Sequence, residues 1–281
     1  MKRPIPQRSS FEFLDYQPTD PKPDISVKHD AFWSYCGPLL AEADALPPNL
    51  HEWAATALSS SLVPLLVPFL TFANEFIAQQ GLDNYWLTIR ATKATGEFEK
   101  PRWHTDDMFF SAGSGGLTAP ATATAKKETR TLDLQTDWKL CTTLLGPSTM
   151  FIPTAQQDSA RRMQRRAKRE LFTDHDCTSI RCLGCASTAD AVRERLVMEL
   201  APLGSTQARP GECAFFRIGQ DGGAVHSEPR MGGGDRIFVN VVPGKKDELG
   251  GLMTKWGMSF PRAWWIAPTV SRGREASLWK Y

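Results

Sequence analysis

The chain has 281 residues, 41% hydrophobic and 23% charged, which are ordinary values for a globular protein with a sizeable core. Its 33 Lys and Arg against 31 Asp and Glu leave a formal charge of +2, too small to announce a nucleic-acid or membrane partner. One enlarged domain over residues 1–281 suits this length, because all-β barrels reach it undivided.

The first residues, Met1-Lys-Arg-Pro-Ile-Pro-Gln, have no apolar run behind their charges. The most apolar stretch, Leu62 to Phe72, is too short for a bilayer and contains Pro64 and Pro68. The expectation is a soluble cytoplasmic protein without signal peptide or transmembrane segment. Of six cysteines, Cys36, Cys141 and Cys213 are scattered, and Cys141 and Cys213 sit in apolar runs as small buried hydrophobes. With no secretory signal, a disulfide framework is not expected.

In chain order, residues 1–49 read as an extended lead-in, rich in Pro, Asp and Lys at its start. Residues 50–81 carry helical periodicity, with Trp53, Leu58, Leu62, Leu66, Phe69 and Ile77 on one broad apolar face. Pro64 and Pro68 are predicted to split this region into two helices, the second ending at Gly81. The texture then changes to short strands between turn signals. Tyr85–Thr92, Lys139–Leu145, Ser148–Pro153, Cys213–Ile218 and Arg236–Val242 are the predicted strands, within residues 85–154 and 205–243. Two interruptions stand between them: a Thr-rich loop from Ser111 to Arg130, and a helical insertion over 156–200 that opens with the basic run Arg161 to Arg169. There is no internal repeat. Helices followed by clustered short strands predict a mainly β, α+β protein: an antiparallel sandwich or jelly roll backed by helices.

In Pro101-Arg-Trp-His-Thr-Asp-Asp, His104 and Asp106 are two residues apart and on a strand share a face, while Trp103 points away as a packing residue. His226 follows the Gly-rich turn Gln220-Asp-Gly-Gly-Ala-Val and precedes another, Met231-Gly-Gly-Gly-Asp, after which Arg236 opens a strand. A hairpin of the flanking strands would put Arg236 near His226. Two imidazoles and one carboxylate can bind one face of a metal and leave the other open. His-x-Asp is by itself a weak motif, and an isolated strand histidine is more often a hydrogen-bonded structural residue. Arg236 could equally pair with Asp235 or Asp107 at the surface.

Taken in order, His104, Asp106, His226 and Arg236 resemble the Fe(II)/2-oxoglutarate-dependent dioxygenase superfamily, sub-family unassigned. Thr142-Thr-Leu-Leu-Gly-Pro-Ser-Thr-Met-Phe is similar to that family's strand, turn and strand containing Gly-x-x-Thr-x-Phe. The likeness runs over roughly residues 85–243, with a large insertion. It implies a double-stranded β-helix holding Fe(II) on His104, Asp106 and His226, with 2-oxoglutarate as cosubstrate, O₂ as oxidant and Arg236 gripping the far carboxylate of the cosubstrate. Arg90 is the next candidate for an anionic substrate or cosubstrate, with a strand-end salt bridge as its bland reading; Lys139 and Asn240 are weaker pocket candidates. The implied activity is oxidation of a small molecule by hydroxylation, desaturation or ring formation, in amino-acid or natural-product metabolism.

Rival signals remain. His175, Cys177, Cys182 and Cys185 could hold a structural zinc, although only one true Cys-x₂-Cys spacing exists. The Arg161–Arg169 run could bind RNA, but its charges spread around the helix without interleaved aromatics, so a solvated helix capping the barrel mouth is the expectation. That insertion and the Ser111–Arg130 loop would be placed to close over substrate. The alternatives to the oxygenase are a cupin-like metal enzyme that does not use 2-oxoglutarate and a non-catalytic jelly-roll binding protein.

Overall fold

The computed structural model describes residues 9–16, 24–40, 46–96, 99–109, 138–172 and 182–266. Strands β1 (Phe11–Asp15) and β2 (Ala31–Pro38) precede helices α1 (Pro48–Ala57) and α2 (Val63–Gln79). Then come β3 (Asn84–Thr92), β4 (Trp138–Leu145), β5 (Met150–Phe151), α3 (Gln157–Leu171) and α4 (Leu183–Leu200). The chain continues through β6 (Thr206–Gln207), β7 (Glu212–Arg217), β8 (His226–Ser227), β9 (Arg236–Gly244), α5 (Lys246–Lys255) and β10 (Arg262–Ile266). These make an α+β fold with a seven-stranded sheet, ordered β1-β7-β4-β9-β3-β2-β10, and a three-stranded sheet, β6-β5-β8. Every strand pairing is antiparallel.

The period-2 alternation of the long strands decides what each face meets. Tyr85, Leu87 and Ile89 of β3, Leu140 of β4 and Val239 and Val241 of β9 are buried on one face of the large sheet. They share a core with Trp53 of α1 and Leu66, Phe69 and Ile77 of α2. Trp33 of β2 is fully buried there and donates its indole N–H to Asn49 of α1 at 3.1 Å. Each such large apolar side chain contributes about 1.5–3 kcal/mol by burial. The opposite face carries Phe11, Ala214 and Phe216, which pack on Phe151 of the small sheet, with ring centroids at 4.7 Å for Phe11 and 5.3 Å for Phe216. The two sheets thus form a sandwich, and α5 covers the same inner face at its far end through Leu249 and Met253 against Cys36 and Trp86.

Three local expectations are corrected. The two helices are separated before Pro64, which lies in the first turn of α2, and Pro68 is carried inside that helix. A proline in a first turn removes an N–H that has no partner there anyway, so Pro64 starts a helix rather than breaking one. Within the lead-in, β1 and β2 are members of the large sheet, and β10 adds an edge beyond residue 243. The basic helix α3 lies behind the small sheet, not over its mouth. Trp103, Ile152 and Val225 project from that sheet's outer face into a core with Ala160, Ala167 and Leu196 of α3 and α4. Acids take up part of its charge, with Arg166 pairing with Glu199 of α4 at 3.0 Å and Arg161 with Asp158, while Arg195 of α4 ties back to Glu170 of α3 at 2.7 Å. Residues Ser111–Arg130, His175 and Cys177 lie outside the described residues. No helix among those described is long and apolar enough to cross a membrane.

Candidate metal centre

His104 and His226 face each other across an antiparallel bridge, each backbone N–H donating to the other's carbonyl at 2.9 Å. Strand alternation turns Trp103, Thr105 and Val225 outward and His104, Asp106 and His226 inward, towards the large sheet. Ligand atoms of these three residues all lie within 4.8 Å of one another, the one group of its kind among the described residues. His104 Nε2 is 3.8 Å from Asp106 Oδ1, and His226 Nε2 is 3.5 Å from Asp106 Oδ2. The imidazole centroids are 4.4 Å apart.

The other ring nitrogens fix which atoms face inward. His104 Nδ1 lies 2.6 Å from the carbonyl of Arg102, and His226 Nδ1 lies 2.9 Å from that of Ala224. A carbonyl only accepts, so each Nδ1 carries the hydrogen and each Nε2 turns towards Asp106. Burial pushes the His226 pKa well below its ordinary value, which keeps its Nε2 a lone-pair donor at neutral pH. Burial opposes the charge on Asp106, but Lys139, His226 and His104 outweigh it and hold the carboxyl well below the usual carboxylate range. Lys139 reaches from β4 to put Nζ 2.5 Å from Asp106 Oδ2. Two ring nitrogens and a carboxylate converging in this way are a donor set that a divalent cation suits, and the chemistry of two imidazoles and one carboxylate fits Fe(II), with the Lys139 ammonium resting on that carboxylate in the metal-free protein.

The inner face of the large sheet supplies the rest. Arg236 is buried at the start of β9, donating from Nε to the Pro147 carbonyl at 3.0 Å and from Nη2 to Thr149 Oγ1 at 3.2 Å, with its guanidinium 4.5 Å above the Phe238 ring. It pairs with neither Asp235 nor Asp107. Burial lowers its pKa to about 10, so it stays charged at neutral pH. The β4–β5 turn that presents Pro147 and Thr149 needs Gly146 at φ +84°, where a Cβ would collide with the Asp235 carbonyl. Arg90 of β3 stands cross-strand from Phe238, and Asn240 pairs with Thr88 and Cys141 on neighbouring strands. Buried oxygens of Asn240 and Thr143 have no hydrogen-bond partner.

The structure therefore gathers His104, Asp106, His226 and Lys139 tightly and sets Arg236, Arg90 and Asn240 on one inner face. The expected hairpin does not form, because β8 belongs to the small sheet and β9 to the large one. Glu228 was missed: it is largely buried, and its charge interacts with His104, His226 and Arg236. Its place two residues beyond His226, on the same side of an extended segment, was the available signal. Cys182 immediately precedes α4 and Cys185 lies in its first turn. No protein-family model matches the chain, and no curated protein sequence matches it significantly.

Proposed function

We propose that the protein is a non-haem Fe(II)- and 2-oxoglutarate-dependent oxygenase, built on a double-stranded β-helix, that oxidises a small molecule. The observation that carries this reading is the convergence of His104 Nε2, His226 Nε2 and Asp106 between two facing sheets. Fe(II) held there would supply O₂ activation, with 2-oxoglutarate providing two of the electrons, for hydroxylation, desaturation or ring formation.

The chain's own residues bind, orient and exclude water. His104, Asp106 and His226 take one side of the metal and leave the other for cosubstrate and oxygen. Arg236, already oriented by Pro147 and Thr149, offers its remaining N–H groups to the far carboxylate of 2-oxoglutarate. The Phe151 and Phe216 rings flank His226, with centroids at 5.6 and 5.0 Å, and keep bulk water from that ligand. A cytoplasmic setting agrees with the buried free thiols of Cys36, Cys141 and Cys213. The reading includes a small-molecule substrate and neither a nucleic-acid nor a membrane partner.

Anaerobic titration of the Fe(II)-loaded protein with 2-oxoglutarate tests it through the visible charge-transfer band of the chelate. The band should appear in the parent protein and be absent from His226→Ala. Iron binding without the band would favour a cupin-like enzyme that does not use 2-oxoglutarate. No iron binding would leave a jelly-roll binding protein.

A further inference from the structure

The inner face of the large sheet holds one more cation than the oxygenase reading uses. Arg236 is engaged by Pro147, Thr149 and the Phe238 ring. Arg90, on the neighbouring strand and the same face, makes no hydrogen bond or ion pair among the described residues. It is half-buried, desolvation pulls its pKa down, and the opposite charges of Glu228 and Asp30 act on it only through space. Asp30 is exposed, and its Oδ1 already accepts the Lys93 backbone N–H at 2.7 Å.

The charge balance points the same way. With neutral imidazoles, the enclosed charged groups facing the centre are Lys139, Arg90 and Arg236 against Asp106 and Glu228. Lys139 is spent on Asp106, which leaves two guanidiniums and one carboxylate. A divalent metal and a dianionic cosubstrate cancel each other, so the surplus positive charge persists in the loaded site. An uncompensated charge in a low-dielectric interior is unfavourable, and an anion placed against it is held strongly. The surroundings are apolar: Trp86, on the face of β3 that carries Arg90, meets the ring of Phe109 edge-on at 5.8 Å, and Phe109 joins Phe238 in one cluster.

We propose that Arg90 anchors the anionic group of the substrate, and that the substrate is a monoanionic carboxylic acid with an apolar or aromatic body. This rests on the oxygenase reading for the identity of the pocket. It gives the two arginines separate work, with Arg236 taking the cosubstrate and Arg90 the molecule to be oxidised. A planar guanidinium suits that task because it can meet both oxygens of a carboxylate at once.

The test is calorimetric titration of protein loaded with Mn(II) and saturating 2-oxoglutarate, under anaerobic conditions. The probes are acetate, hexanoate and benzoate, each beside its neutral primary amide. At least one acid should bind roughly tenfold or more tightly than its amide, and Arg90→Met should remove that preference while changing 2-oxoglutarate affinity by less than about threefold. Arg90→Lys, which keeps the charge, should retain part of the preference and guards against misfolding of the Met variant. Acids binding no better than amides, or an acid preference that survives Arg90→Met, overturns the proposal. So does a large loss of 2-oxoglutarate affinity in Arg90→Met, which would make Arg90 the cosubstrate's cation. If Mn(II) and 2-oxoglutarate do not bind, the same titration is read on metal-free protein. Acid binding lost in Arg90→Met would then keep the anion site and sink only the oxygenase reading, whereas no acid binding would sink both.

Discussion

Lys139 Nζ lies 2.5 Å from Asp106 Oδ2, so a cation from the large sheet sits on a candidate metal ligand of the opposite layer. Their side chains are only 11% and 19% exposed, and water screens the pair weakly. An ammonium and a metal ion compete for the same lone pairs. Lys139→Met should therefore tighten Mn(II) binding by roughly tenfold. It should also lower the stability of the metal-free protein by about 2–4 kcal/mol, because Asp106 loses its partner. Mn(II) calorimetry and thermal melts read both effects. Weaker Mn(II) binding would instead make Lys139 a positioning residue for Asp106.

His104→Ala and His226→Ala should each weaken Fe(II) binding by more than about 100-fold, since a lost ligand outweighs the loss of an outer-shell contact. Their stabilities should differ. His226 is 6% exposed and packed between Phe151 and Phe216, so its removal leaves a cavity costing about 2–3 kcal/mol. The His104 side chain is 39% exposed, and its variant should melt nearer the parent. Iron stoichiometry beside circular dichroism melts checks both, and unchanged stoichiometry in the two variants would end the ligand assignment.

Arg236→Met should keep iron but weaken 2-oxoglutarate binding by about 30-fold or more, as a charged, paired contact is lost from an enclosed site. It also frees the Pro147 carbonyl and Thr149, so a small stability loss should accompany it. The anaerobic chelate titration reads the affinity. An unaltered value would move the role to another cation.

Gln157 ties the insertion to the two strands of the small sheet. Its Nε2 donates to the carbonyls of Ile152 and Val225 at 2.7 and 3.2 Å, and its Oε1 accepts the Val225 N–H at 2.7 Å. Gln157→Ala takes away the side-chain partner of the Ile152 carbonyl and the Val225 N–H, while the Val225 carbonyl keeps the Ile152 N–H, and should cost about 2–3 kcal/mol. Because Val225 adjoins His226, metal affinity should fall with it, by several-fold in the same Mn(II) titration. Full metal affinity in a destabilised variant would show that His226 is held without Gln157, by its bridge to His104 and its pairing with Phe151.

Much of the site was legible because it rests on strand alternation. The two-residue spacing of His104 and Asp106, the outward turn of Trp103 and the inward face of Arg236 follow from a period of 2. The Lys139–Asp106 contact was not legible, since it depends on how two sheets face each other and no local pattern encodes that. The hairpin from β8 to β9 failed for a related reason: Gly232 and Gly233, at φ +58° and +78°, let the chain cross between sheets as readily as turn back. The strands at Phe11–Asp15 and Arg262–Ile266 escaped notice because each is a five-residue edge, paired on one side only. Their alternation gains meaning only from β7 and β2, far away in sequence.

The mutual backbone bonds of His104 and His226 make the ligand set an all-or-none property of one register. Slipping that bridge by a single residue would put the two imidazoles on opposite faces, with either Trp103 turned inward in place of His104 or Val225 turned inward in place of His226, and the displaced ligand in the core shared with α3 and α4. Misfolded chains should accordingly be recognisable by their chemistry, with no metal affinity at all rather than a graded deficit. The apolar neighbours Trp103 and Val225 then act as the proofreading of the centre, because their burial behind the small sheet forbids the register in which the ligands would be lost.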